Sequence, residues 1–241
     1  MRDFTSNSND GLDSTSEFEP ISSRVGRFLI IHEESFLDIG LSSNVYVAES
    51  SGRYFLFDAG GHPELLSFLK TADIPADLIS AVFLTHGHRD HITGLYSLLK
   101  AGITAYIAGE DKALLEEGLC ATRATGGIKE LAEGEVLLRA LGFQALRTPG
   151  HTKGSTCFYS AGERLLISGD TVFTGGYFGR TDLDGGDSNE MTRSLTILSG
   201  LDVESMMPGH GHYAMKGARS SISAALANAK YLLKSQPRSP E

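Results

Sequence analysis

The sequence predicts an α/β protein. Two observations predict it. Short apolar, strand-like runs stop at a glycine beside a histidine or aspartate, and the stretches between them carry leucine or alanine at helical spacing. Their order is strands early, then helices, then the same order again, which indicates two sheets with helices outside. The composition is that of a globular chain: 241 residues, 41% hydrophobic and 21% charged, with 28 glycines that suit many tight turns.

Residues 27–31, 44–49 and 53–58 read as three consecutive strands, the last two joined across Ser50-Ser-Gly52. Residues 63–72 follow as a helix, with Leu65, Leu66 and Leu69 near helical spacing. Residues 81–85, Ala-Val-Phe-Leu-Thr, read as a buried strand of a parallel sheet and residues 92–101 as a helix. Residues 105–108 are a further strand and 111–117 a short helix. Residues 136–140 and 143–147 look like a hairpin opening the second set of strands, and 156–160 pairs with 164–168 across Ala161-Gly-Glu163. Residues 189–198 are helical, with Met191, Leu195 and Leu198 on one face as core. Residues 205–208 form a last strand and 218–233 an alanine-rich terminal helix.

The expected organisation is a flexible acidic tail over residues 1–22, one domain over 23–235, and a frayed end over 236–241. The tail carries Asp3, Asp10, Asp13, Glu17 and Glu19 against the single base Arg2, with hardly any apolar content. A formal charge of −9 argues against nucleic acid as a partner, since phosphate backbones demand clustered Lys and Arg. No stretch approaches the roughly 20 apolar residues needed to span a bilayer, and the start lacks a signal-peptide pattern. A cytoplasmic protein with no membrane partner is the expectation. Cys120 and Cys157 make no disulfide framework, and Cys157 reads as a packed strand residue.

The chemistry is concentrated in Thr85-His-Gly-His-Arg-Asp-His91, which packs His86, His88, Asp90 and His91 onto one strand-to-helix turn. Imidazole nitrogens and a carboxylate are borderline ligands that suit zinc, iron or manganese. The carboxyl end of a strand is where α/β sheets place their sites. The same setting recurs downstream: His151 follows Leu146-Arg-Thr-Pro-Gly150, Asp170 ends Leu165-Leu-Ile-Ser-Gly-Asp170, and His210 ends Met206-Met-Pro-Gly-His210. Isolated core or surface histidines do not explain five of eight at strand ends. His212, two positions past His210, is its rival and otherwise a surface or substrate-pocket residue; His32 and His62 match no part of the pattern.

The order His-x-His-x-Asp-His, then His, Asp and His, resembles the metallo-β-lactamase superfamily. The similarity runs from about residue 25 to about 212 and includes the turn Phe57-Asp-Ala-Gly60. Gly169-Asp-Thr-Val-Phe173 followed by Gly179-Arg-Thr-Asp182 is similar to the short glyoxalase II-like enzymes and their persulfide dioxygenase relatives. The resemblance implies an αββα four-layer sandwich of two mixed β-sheets with flanking helices. It also implies two divalent metal ions, zinc first and iron or manganese as the other candidates. His86, His88 and His151 would bind one ion, Asp90, His91 and His210 the other, and Asp170 would bridge them. Seven donors exceed what one catalytic ion needs, given that such an ion keeps a position open.

The implied activity is metal-dependent hydrolysis, with a bridging hydroxide attacking an ester or thioester carbonyl and Asp90 orienting it and relaying a proton. The alternatives are a mononuclear iron persulfide dioxygenase-like enzyme and a lactonase or β-lactamase-type hydrolase, since the motif specifies fold and metals more than substrate. Asp58 is expected to fix the tautomer of a ligating histidine, or else to cap the following helix. The substrate is expected to be a small molecule with an anionic or polarised carbonyl. Arg180, Tyr177 and His212 are the candidate substrate contacts, with Arg180 either clamping an anion or pairing with Asp182 or Asp187. Only about 30 residues follow His210, enough for one helix and too few for the helical glutathione domain of full-length glyoxalase II.

Overall fold

The computed structural model describes residues 16–20, 25–30, 42–119, 127–132 and 136–235. Most of the expected tail, the frayed end, His32 and Cys120 lie outside the described residues. The described residues fall into two compact units, one within Met1–Ala132 and the other within Glu133–Glu241.

In the first unit the described strands form a seven-stranded mixed sheet in sequence order. β1 (Ser16–Pro20), β2 (Val25–Ile30), β3 (Val45–Ser50) and β4 (Arg53–Phe57) form an antiparallel meander. β5 (Ile79–Phe83), β6 (Ala105–Ile107) and β7 (Ile128–Glu130) continue it in parallel. The turn between β3 and β4 has Ser51 and Gly52 both at positive φ, 55° and 75°, the backbone that matches the twist of a two-residue hairpin. Parallel pairing needs crossovers, and these carry the helices: α1 (Leu65–Thr71) between β4 and β5, then α2 (Arg89–Ile92) and α3 (Leu95–Lys100) between β5 and β6. α4 (Lys112–Gly118) follows β6. Leu65, Leu69, Ile92, Leu95, Leu98 and Leu115 from these helices are buried with Leu56, Val82 and Leu84 in one apolar cluster. Each such side chain contributes about 1.5–3 kcal/mol when fully buried. A ring series of Phe57, Phe83 and Tyr106, with centroids 5.7 and 5.4 Å apart, belongs to the same sheet.

In the second unit the described strands form a four-stranded mixed sheet in the order β11-β10-β9-β8. β8 (Gln144–Arg147), β9 (Thr156–Ser160) and β10 (Leu165–Gly169) are antiparallel, and β11 (Ser205–Pro208) pairs parallel with β10. The crossover between β10 and β11 is α6 (Ser188–Ser199), capped by Asp187, whose side chain accepts from the amides of Asn189 and Glu190. Met191, Leu195 and Leu198 are buried as expected, together with Leu166, Met206 and, from α7 (Ala218–Ser235), Ile222 and Ala225.

Several elements differ from the expectation. Residues 136–140 are a short helix, α5 (Val136–Ala140), not a strand of a hairpin. Val-Leu-Leu-Arg-Ala contains strong helix formers, and Gly142 at φ 79° ends the helix by donating to the Arg139 carbonyl. The single helix expected over 92–101 is two, broken after Ile92. The strand expected over 81–85 stops at Phe83, so Thr85 and His86 lie in the loop beyond it. β1 and β7 were not expected: Ser-Glu-Phe-Glu-Pro is too polar to announce a strand, and β7 has three residues at a sheet edge. β1 also claims residues 16–20 from the expected tail.

Candidate functional site

In the first unit the ligand turn begins two residues after β5 and ends in α2, so that Asp90 and His91 occupy the first helical turn. Backbone bonds hold it at both ends: Asp58 donates its amide to the Phe83 carbonyl at 2.9 Å, and Ala59 donates to the His91 carbonyl at 2.7 Å. The Ser43 amide donates to the Asp90 carbonyl at 3.1 Å. The rings of His86 and His91 lie 4.0 Å apart and those of His86 and His88 4.8 Å. His86 and His91 are buried, and His88 is half-buried.

Asp58 organises this turn. It is a non-glycine residue at φ 62°, a conformation aspartate tolerates better than most. The bend turns its buried carboxylate onto the Thr85 amide (2.7 Å), the Thr85 hydroxyl (2.8 Å) and His91 Nδ1 (2.8 Å). α1 starts only at Leu65, so helix capping is not its role. The hydroxyl of Thr85 has one proton, which goes to the Asp58 carboxylate; toward His86 Nδ1, 3.0 Å away, it is therefore an acceptor. Both His86 and His91 then carry their proton on Nδ1 and present Nε2 as a lone-pair donor.

The second unit reaches the same tautomer differently. His151 Nδ1 donates to the backbone carbonyl of Arg180 at 2.8 Å, again leaving Nε2 as the lone-pair atom. His151 sits on the loop between β8 and β9, Asp170 just past β10, and His210 just past β11. The Asp170 carboxylate oxygen Oδ2 stands 3.6 Å from His151 Nε2 and 3.5 Å from His210 Nε2. In the first unit Asp90 Oδ2 is 3.8 Å from His91 Nε2. These separations are too long for hydrogen bonds. They approach the roughly 3.3 Å between neighbouring donors on a tetrahedral ion with bonds of about 2.0–2.1 Å. Neutral imidazole Nε2 atoms and carboxylate oxygens, so spaced, are a donor set suited to a divalent transition ion.

Gly179 makes the Arg180 contact feasible. A Cβ there would stand 2.1 Å from the Asp170 carbonyl and 2.9 Å from His151 Nδ1, so no larger residue fits without displacing both candidate ligands. The amide of Gly179 donates to that Asp170 carbonyl at 2.9 Å. The Arg180 guanidinium forks onto Asp182 at 2.9 and 2.8 Å, the ion-pair alternative, and Asp187 is the α6 cap instead of its partner. The hydrogen bond from Arg180 holds the Asp182 carboxyl below its usual range. Tyr177 is 71% exposed and His212 is exposed. His62 accepts from the Glu64 amide ahead of α1. Thr85 and Gly179 were not singled out in the sequence; their positions, directly before the histidine motif and directly before Arg180, are the only signals of them. Burial pushes the Cys157 thiol up to about 11, against lowering hydrogen bonds from Thr148 and Thr171, and leaves it an inert core residue.

The metallo-β-lactamase superfamily model matches residues 38–210, a span that holds every candidate ligand. The chain belongs to this superfamily. The probable metallo-hydrolase YqgX of Bacillus subtilis (strain 168) is 30% identical over 185 residues, 71% of this chain and 86% of that relative. TTHA1623, solved in a di-iron-bound form, is 32% identical, with a TM-score of 0.61 over 77% of this chain and 92% of that one. The DIM-1 metallo-β-lactamase shares the fold at 17% identity, with a TM-score of 0.72 over 91% of this chain and 99% of that one. Two mixed sheets with flanking helices are thus the metallo-β-lactamase fold, in a superfamily of metal-binding hydrolases. Among the described residues no helix is long and apolar enough to cross a membrane.

Proposed function

We propose that the protein is a metal-dependent hydrolase of an ester or thioester, similar to the short glyoxalase II-like enzymes. The carrying observation is the shared tautomer: His86, His91 and His151 each have Nδ1 engaged by an oxygen, which aims Nε2 as a ligand. In this reading His86, His88 and His151 hold one divalent ion, Asp90, His91 and His210 a second, and Asp170 serves both. When bound, such ions supply an acidified water at neutral pH and a Lewis acid for the carbonyl. The Asp90 carboxylate, partly open to solvent, would orient an attacking water and pass a proton to bulk. Asp58 keeps His91 in register through the reaction. Two divalent ions against two ligand carboxylates leave the site positive, which favours an anionic or polarised carbonyl substrate in an otherwise acidic protein. The di-iron form of TTHA1623 supports iron as an alternative to zinc.

The test is elemental analysis of protein purified without added metal, followed by turnover of a thioester, lactone and persulfide panel. Two divalent ions per chain with thioester cleavage are expected. Asp170→Ala should lower metal content and activity together, while Asp90→Asn should lose turnover with melting unchanged. One iron per chain with oxygen uptake on a persulfide would replace this reading with a dioxygenase.

A further inference from the structure

Besides Asp58, a second buried carboxylate from outside the ligand turn, Asp111, is aimed back into it. Asp111 follows β6, where a 3-10 turn over Gly109–Asp111 leads into α4, and its side chain is buried. An aspartate at the start of a helix ordinarily caps it. Asp111 stands in that position and makes no capping hydrogen bond to α4. Its Oδ2 instead accepts from the backbone amide of Gly87 at 3.0 Å, across 24 residues of sequence.

Gly87 is the residue between His86 and His88, and its peptide sets the relative direction of the two imidazoles. It rests directly on the first turn of α4: a Cβ at this position would stand 3.0 Å from the Leu115 amide nitrogen, 3.1 Å from the Asp111 carbonyl and 3.2 Å from Leu114 Cβ. Leu115 is itself fully buried in the core of this unit. A helix anchored in the core therefore presents a seat to the middle of the ligand turn, and the Asp111 carboxylate is the hydrogen-bonding part of it. A buried charged group is retained at a cost in desolvation, which an ordinary surface cap would avoid.

We propose that Asp111 is a positioning residue for the His86–His88 pair, fixing the Gly87 peptide so that both imidazoles stay converged before any metal arrives. The inference rests on the metal-site reading above. It assigns the residue no contact with metal or substrate.

The test compares wild type with Asp111→Ala, Asp111→Asn and Asp111→Glu. Zinc affinity is read by chelator competition, and exchange of the Gly87 amide is read in the metal-free protein. Asp111→Ala should weaken zinc binding by about 10- to 100-fold, the range for lost partners of metal ligands, and should speed Gly87 exchange. Asparagine keeps an acceptor at the same distance and should restore both to within a few-fold of wild type. Glutamate keeps the charge but moves it by a methylene, and should not. That order holds even if the alanine variant fails to fold. An Asp111→Asn protein as weak as Asp111→Glu, or an alanine variant that binds zinc as tightly as wild type, overturns the positioning role alone. No zinc binding by wild type overturns the metal reading and this inference with it.

Discussion

The two units hold their candidate ligands by different means. In the first, four donors lie within six residues, and side chains of Asp58, Thr85 and Asp111 hold them. In the second, three donors come from the ends of β8, β10 and β11, and the hold is by backbone: the Arg180 carbonyl on His151, and the Gly179 amide on Asp170. A dense turn has too few backbone donors and acceptors to orient each ring, so it borrows carboxylates and a hydroxyl. Dispersed strand ends are already fixed by their sheet and need only one carbonyl at the right distance. Mutational sensitivity should follow this division, with side-chain truncation felt in the first unit and backbone displacement in the second.

The largest effect is expected from Asp58→Ala. It removes the acceptor of His91 Nδ1, of the Thr85 amide and of the Thr85 hydroxyl together, leaving buried donors unsatisfied at about 1–3 kcal/mol each. The freed hydroxyl can then donate to His86 Nδ1, which reverses that tautomer as well. Metal affinity should fall by 10- to 100-fold or more, measured by competition with a chromophoric chelator. Wild-type affinity in this variant would show that the side-chain network is not what orients the first unit's ligands.

Gly179→Ala should come next, with an effect on the other unit. Its Cβ would collide with the Asp170 carbonyl and approach His151 Nδ1, a small-to-large change that costs about 1–3 kcal/mol where the backbone must yield. The thermal midpoint and metal content should both drop. A variant that loses neither would mean that this loop is softer than the packing of Gly179 indicates.

How much of this was readable beforehand follows the same division. Fold class and donor positions were legible because alternating apolar runs and clustered histidines are statements of residue type. β9 and β11 have the bounds the sequence suggested, being apolar runs with plain turn residues beside them. α5 differs from the expected strand because five apolar and basic residues have no decisive period, and helix propensity with the stop at Gly142 decides. The roles of Thr85, Asp111 and Gly179 are not legible in the sequence, although Thr85 and Gly179 stand at the edges of motifs. Each acts through a contact to a distant backbone atom or on a close approach, and such contacts leave no pattern in neighbouring residue types. Asp58 was legible only through its place in a family turn.

A third effect, confined to alkaline pH, separates the interiors. The first unit buries the hydrogen bond from the His91 imidazole to the Asp58 carboxylate, whereas the second buries a neutral thiol. In the unfolded chain Cys157 would ionise near 9.0, but in the fold burial holds it to about 11. Below pH 9 both states keep the proton, so the thiol adds no pH dependence. As pH rises from 9 to 11 the unfolded state releases it and the folded state does not, so stability falls by up to about 3 kcal/mol across that window. Denaturant titrations of wild type and Cys157→Ala at pH 8 and pH 10.5 read this term as the difference between the two proteins. An identical loss in both would place the alkaline sensitivity elsewhere.

The smallest effect should come from Arg180→Ala. Among the described residues the exposed side chain of Arg180 engages the equally exposed Asp182, a contact that solvent screens. Its carbonyl, which orients His151, survives the substitution. Metal content and thermal midpoint should therefore stay at wild-type values, while Gly179→Ala one residue earlier lowers both. If Arg180→Ala instead sheds metal, the fork to Asp182 is what holds the 180 carbonyl in place, and the second unit depends on side chains as the first does. If metal is kept but KM for an anionic thioester rises with kcat unchanged, the guanidinium leaves Asp182 to meet the substrate.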